Sequence, residues 1–210
     1  MERLATKECV SVIGVGGAGR NTVQRMNVGN RIVVDVKNER AGETNADLAI
    51  WLDPACAEVN FSSADWKSMG DSIANSDAVV MCAGLGGNTG TNIAPVVAAL
   101  AKRQGKAVVA VVFEPFVFEG FTRKAVAEKG VARMKEIADC VICVSNDKLK
   151  SVAGAHQKLG DAFAFADDVV AKSMEMLSKS ASQEAIAALA REMSANAIVK
   201  QVHNNTCFKA

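Results

Sequence analysis

The sequence predicts a three-layer α/β sandwich on a mostly parallel sheet, with further helices at its C-terminal end. Three observations carry this. Six short runs rich in Val and Ile are mostly apolar, without the alternation of a half-exposed strand. Stretches with helical spacing lie between most of them. Mostly apolar strands separated by amphipathic helices indicate a parallel sheet covered on both faces. From about residue 161 the spacing becomes purely helical.

Taken in order, CVSVIGV (9–15) is the first strand and NTVQRM belongs to the helix after it. RIVVDV (31–36), LAIWL (48–52) and DAVVMCA (77–83) are the next three strands. IAPVVAALAKRQ follows as a helix, for which Asn92 is the expected N-cap and Pro95 falls in the first turn, where a missing N–H costs nothing. KAVVAVVF (106–113), the helical TRKAVAEKGVARMKEI and DCVICVS (139–145) complete the alternation. Cys140 and Cys143 form a C-x-x-C inside the last strand, where residues three apart point to opposite faces; small buried hydrophobes are the reading, not a metal or redox pair. Two helices end the chain, DAFAFADDVVAKSMEMLSKS (161–180) and QEAIAALAREMSANAIVKQV (183–202). The second aligns Ala185, Ile186, Leu189, Ala190, Met193, Ala197 and Ile198 near one stripe, expected to cover the domain's own surface, with a homodimer contact as the alternative.

Composition narrows the function classes. With 24 basic and 23 acidic residues in 210, the chain has no electrostatic footprint for nucleic acid or an anionic membrane. Its longest apolar run, AVVAVVF at 107–113, falls far below the roughly 20 residues of a membrane helix. Six cysteines at irregular spacing and an N-terminus without a signal-like apolar segment point to reduced thiols and a cytoplasmic protein.

Two glycine-rich loops follow strands. IGVGGAGRN (13–21) satisfies G-x-G-x-x-G through Gly14, Gly16 and Gly19, so backbone amides at a helix start can approach a phosphate. Alone, this fits a Rossmann-like dinucleotide site, with Asp35 placed for the ribose and an NAD(P)-dependent oxidoreductase as the activity. GLGGNTGTN (84–92) is a second cradle: Gly84, Gly86, Gly87 and Gly90 open the backbone, and Thr89 and Thr91 add hydroxyls. A tight turn needs one or two glycines. A run of terminal phosphates accounts for a second cradle, whereas a dinucleotide pyrophosphate leaves it without a purpose.

GLGGNTGTN resembles the G-G-G-T-G-[ST]-G signature loop of the FtsZ/tubulin GTPases. The resemblance extends in order through IGVGGAGRNTVQRM (13–26), VVFEPFVFEGFTRKAVAEKGV (111–131), VSNDKL (144–149) and DAFAFADDVV (161–170). It implies that Gly16, Gly17, Ala18 and Gly19 face the α/β phosphates, and that Gly86, Gly87, Thr89, Gly90 and Thr91 hold the β/γ end; Gly84 and Asn88 of the same loop are expected among the nucleotide-binding residues. It further implies that Glu119 meets the ribose hydroxyls, Arg123 reaches the ribose-phosphate region, and Asn21, Asn146 and Asp167 read the base edge with Phe163 against its face. A carboxylate at Asp167 can accept from both the ring N–H and the exocyclic amine of guanine, which adenine cannot offer. Phe163 and Asp167, four apart on one helix, share a face; core packing is the other use for Phe163. The resemblance therefore implies GTP or GDP as ligand, Mg2+ through the phosphates, and a cytoskeletal switch or assembly factor with an FtsZ-like partner or a homodimer.

The sequence departs from the family at three places. Asn88 and Asn92 replace signature-loop glycines. DPACAEVNFSSADW (53–66) lacks a glycine-rich γ-phosphate loop. The N-x-D-x-x-D loop after the central helix does not appear. The expected organisation is a GTP-binding domain over 1–180, including the central helix, and a helical tail over 181–210, with the family's second, activation domain absent. The resemblance implies a truncated FtsZ-like protein in which no catalytic residue or metal ligand is assigned and hydrolysis is expected to be slow or partner-dependent. A non-catalytic interaction module that keeps the fold is the remaining alternative.

Overall fold

The computed structural model of the protein describes residues 10–27, 29–37, 42, 44–53, 62–153, 159–195 and 199–204. In chain order the elements are β1 (Val10–Val15), α1 (Gly16–Arg25), β2 (Arg31–Val36), β3 (Leu48–Leu52), α2 (Ser63–Ile73), β4 (Ala78–Gly84) and α3 (Asn88–Arg103). There follow β5 (Ala107–Glu114), a 3-10 turn (Val117–Glu119), α4 (Phe121–Ile137), β6 (Cys140–Ser145), α5 (Asn146–Ala153), α6 (Leu159–Lys179), α7 (Gln183–Ser194) and β7 (Val199–Asn204).

The sheet runs β3-β2-β1-β4-β5-β6-β7. Its first six strands are parallel, and β7 pairs antiparallel with β6 across an irregularity at Cys143/Val144. Strand alternation divides the core into two layers. Val12, Val80 and Val111 face one side with α1, α6 and α7, whereas Ile13, Met81 and Ala110 face the other with α2, α3 and α4. Cys140 and Cys143 fall on opposite sides, as their spacing requires, and both are free thiols. Burial pushes the Cys140 thiol up to about 12, with the charge of Asp139 adding to it. Among the described residues no helix is long and apolar enough to cross a membrane.

The C-terminal end differs from a purely helical tail. α7 starts at the N-cap Ser182, whose hydroxyl accepts from Ala185 N at 3.2 Å, and ends at Ser194, not near 202. Its Ile186, Leu189 and Met193 are buried in the same core as β4 and β6, each contributing about 1.5–3 kcal/mol of burial. The apolar stripe thus covers the domain's own sheet. Ala197 and Ile198, assigned to the same stripe, lie outside the described residues. Residues 199–204 form a strand because the open edge of β6 offers a row of unpaired backbone groups, and β-branched Val199 and Val202 suit an extended chain. A similar correction applies to α3. It begins at Asn88 with Gly87 as N-cap, so Asn92 is an interior residue and its side chain donates to Asn88 Oδ1 at 2.7 Å. Pro95 is then well inside the helix, where its missing N–H removes one intrahelical bond.

Glycines set how closely the elements beside the switch in strand order approach. A Cβ on Gly14 would collide with the Gly19 carbonyl, one on Gly19 with the Cys82 carbonyl, and one on Gly90 with the Gly84 carbonyl. Gly17, by contrast, has open space around it. Gly19→Ala and Gly90→Ala are therefore expected to lower unfolding free energy by about 1–3 kcal/mol or more, with Gly17→Ala within about 1 kcal/mol of the parent. Urea denaturation of the three variants checks this.

Candidate functional site

The chain runs outward from β1 through β2 to β3, then returns past β1 to β4. The carboxyl ends of β1 and β4 thus flank the point where strand order reverses, the usual ligand crevice of such sheets. Both glycine loops sit there. Gly16 opens α1 with φ +70°, and a Cβ on it would come within 3.4 Å of Gly90 N and of Thr89 Cβ and Cγ2. One on Gly84 would lie 2.8 Å from Ala18 Cβ. The two turns are in contact and open on the same rim.

Their helix starts lack the side-chain caps of α2 and α7, as does that of α4 at Gly120. α2 is closed by a capping box, Ser62 accepting from Asp65 N at 3.0 Å while Asp65 accepts from Ser62 N at 3.0 Å, and α7 is closed by Ser182. α1 and α3 begin at Val15 and Gly87 with no side-chain cap. First-turn amides without a capping side chain, at the positive end of a helix dipole, favour an anion. Gly17, Ala18, Gly87 and Asn88 are exposed there, whereas Gly16, Gly19, Gly90 and Thr91 are buried. The buried set shapes the cradle. Thr91 Oγ1 accepts from Gly86 N at 3.0 Å, holding Gly86 in its φ +95° conformation, and Leu85 N donates to Phe113 O at 2.9 Å.

Beside Ala18 lies a cavity of about 260 Å3 lined by Ala18, Asn21, Thr22, Arg25, Phe113 and Asn146. It joins two of the three residues expected at a base edge, Asn21 and Asn146. Asn146 Oδ1 is buried and makes no hydrogen bond among the described residues. The third, Asp167 on α6, is engaged by Arg25: Nε donates to Oδ2 at 2.5 Å and Nη2 to Oδ1 at 2.8 Å. That hydrogen bond raises the Arg25 guanidinium above its ordinary range. Phe163 falls within α6, but its side chain lies outside the described residues. Glu119 and Arg123 pair with each other, and Glu119 Oε1 accepts from Phe116 N at 2.8 Å. A Cβ on Gly86 would lie 2.9 Å from the Arg123 carbonyl, so the start of α4 abuts the second cradle.

Two pairings at the site are not evident from residue types. Arg25 is four residues beyond Asn21 on α1, the helical spacing that puts both on one face and could have marked it. Arg20 is buried with its Nη1 3.3 Å from Asp35 Oδ2, and its guanidinium stands 5.8 Å from the Trp51 ring centre. Asp35 is 4 % exposed and committed to Arg20 and to Val36 N, so it does not present a carboxylate to a dinucleotide ribose.

Burial raises the Asp35 carboxyl above its usual range, opposed by the Val36 N–H and the Arg20 charge. A raised folded value means that the group stabilises the fold most when protonated. That contribution is complete below the ordinary carboxyl value near 4 and is lost as pH rises through the folded value. Arg20→Met strands a buried charge and is expected to cost about 3–5 kcal/mol near neutral pH, whereas Arg20→Met with Asp35→Leu costs little or nothing. The single variant's deficit should shrink on acidification. Thermal melts of both variants at two pH values check the sign.

Residues 57–154 match the family described as "Tubulin/FtsZ family, GTPase domain". The chain is 36% identical over 183 residues to cell division protein FtsZ 1 of Halobacterium salinarum, covering 79% of this chain and 46% of that protein. To cell division protein FtsZ of Pseudomonas aeruginosa it is 33% identical, covering 85% and 49%. The chain spans about half the length of these curated relatives. Among solved structures, the M. jannaschii FtsZ dimer superposes with a TM-score of 0.68 at 30% identity, covering 85% of this chain and 56% of that one. TubZ of Clostridium botulinum phage c-st, at 16% identity and a TM-score of 0.62, shares the fold. Through this sheet order, its two abutting glycine cradles and these relatives, the chain belongs to the tubulin/FtsZ family and is an FtsZ-like protein.

Proposed function

We propose that the chain binds guanine nucleotides, GTP and GDP, as a nucleotide-dependent switch or assembly factor. The observation that carries the reading is the contact between the two cradles, with Gly16 within 3.4 Å of Gly90 N once given a Cβ. Two uncapped helix starts this close suit a single polyphosphate better than two separate anions. The α/β phosphates would lie on Gly17 and Ala18, and the terminal phosphates on Gly87, Asn88 and Thr89. Mg2+ would be held through the phosphates. The base would enter the cavity beside Ala18, where the Asn146 Oδ1 acceptor suits an N–H of the purine edge.

Hydrolysis would be slow or partner-dependent. It needs a group that orients water at the terminal phosphate. The carboxylates of Asp35, Glu119, Asp147 and Asp167 are each engaged within the chain, to Arg20, Arg123, Val117 N and Arg25 respectively. An FtsZ-family partner or a second copy of the chain would then complete the reaction.

Equilibrium titration with GTP, GDP and ATP is expected to give tighter binding of both guanine nucleotides. Asp167→Ala should reduce that preference by about tenfold, the scale of one charge-assisted hydrogen-bond pair. Equal or negligible binding of all three nucleotides rejects the proposal. Phosphate release should rise on addition of a full-length FtsZ relative, and light scattering at two concentrations reports self-association.

A further inference from the structure

We propose that Arg25 is a latch on base selection: its guanidinium occupies the Asp167 carboxylate, and a guanine must displace it to be read. The proposal rests on the nucleotide reading above and adds a specificity-determining residue to it. Four features of the site support it.

Arg25 engages both carboxylate oxygens, at 2.5 and 2.8 Å. A guanine edge would need the same two oxygens, one for the ring N–H and one for the exocyclic amine, so the two partners exclude one another. Position agrees. Arg25 lines the cavity beside Ala18, Asn21 and Asn146, and Asp167 is not among its described lining residues. Arg25 is thus common to the cavity lining and to the pair with Asp167. Mobility of the right partner follows from exposure: the Arg25 side chain is 43% exposed and that of Asp167 19%. Arg25 is the last residue of α1, and Asp167 lies inside α6. Finally, Asn146 Oδ1 is a buried acceptor without a hydrogen bond among the described residues, consistent with a cavity whose donor arrives with the ligand.

The latch would weaken guanine and leave adenine untouched, because adenine presents no donor pair for Asp167 and has no need to open it. Partly exposed ion pairs are worth up to about 1 kcal/mol, more when bidentate, so the handicap on guanine is roughly three- to tenfold. Salt screens such a pair. Raising ionic strength should therefore release the latch even as it weakens the phosphate contacts common to both purines.

The test is a titration of the full chain with GDP and ADP at low and high salt, for the parent, Arg25→Gln and Arg25→Lys. At low salt Arg25→Gln is expected to bind GDP three- to tenfold more tightly than the parent, with ADP unchanged. Lysine keeps the charge but cannot fork across both oxygens, and should fall between. The gap between parent and Arg25→Gln should close at high salt. Unchanged or weaker GDP binding by Arg25→Gln overturns the latch and leaves the nucleotide reading intact. Absence of nucleotide binding by the parent and both variants overturns the nucleotide reading, and the latch with it. If Arg25→Gln does not fold, the parent and the lysine variant decide. GDP affinities that do not differ between them at low salt overturn the proposal.

Discussion

Backbone touching backbone is the constraint on which this site depends. Gly14 and Gly19 let α1 lie against β1 and the Cys82 carbonyl of β4, and Gly90 lets α3 fold back onto the Gly84 carbonyl. Any side chain at these places would push one helix start away from the other. With them bare, the amino ends of α1 and α3 stand together at the reversal in strand order, and their first-turn amides open on one rim. The cradle is thus a product of close packing first and of polar chemistry second. Buried Thr91, whose hydroxyl restrains Gly86 rather than facing outward, belongs to the same packing.

Charge then braces the first of these helices from two sides. At its middle Arg20 reaches Asp35 on β2, in a pair almost closed to water. At its end Arg25 reaches Asp167 on α6, in a pair that remains wet. The difference in burial sets different behaviour. A buried pair is costly to break by halves and so fixes α1 against the sheet, whereas an exposed pair opens at small expense. The middle of α1 is thus held by a pair closed to water, and its last residue by one that is not.

The strands were readable because both faces of a parallel sheet are buried: the runs from VSVIGV to CVICVS are mostly apolar, with Arg31 and Asp35 of RIVVDV among the exceptions. The glycine loops were readable as tight strand-to-helix turns, and the structure brings the two into contact. The tail was misread where helical spacing ran on past Ser194. Periodicity reports a continuous helix and knows nothing of the edge that β6 offers to 199–204. Local sequence places the start of α3 five residues late because Asn, Thr and Gly are weak helix formers, and here the contact of Gly90 with β4 outweighs propensity. Asp35 and Asp167 were recognised as carboxylates of interest, but their arginine partners come from adjacency of β2 and α6 to α1. Such neighbours are set by tertiary packing, which local sequence does not record.

The stacking of Arg20 near Trp51 has an optical consequence. The chain contains two tryptophans and no tyrosine, so its near-ultraviolet emission comes from Trp51 and Trp66 alone. Trp66 sits on α2, while Trp51 has a cation 5.8 Å from its ring, carried by the helix that begins at Gly16. A positive charge at an indole face shifts the energy and yield of its emission. Any movement of α1 relative to β3 would therefore be visible in the intrinsic fluorescence of the unlabelled chain.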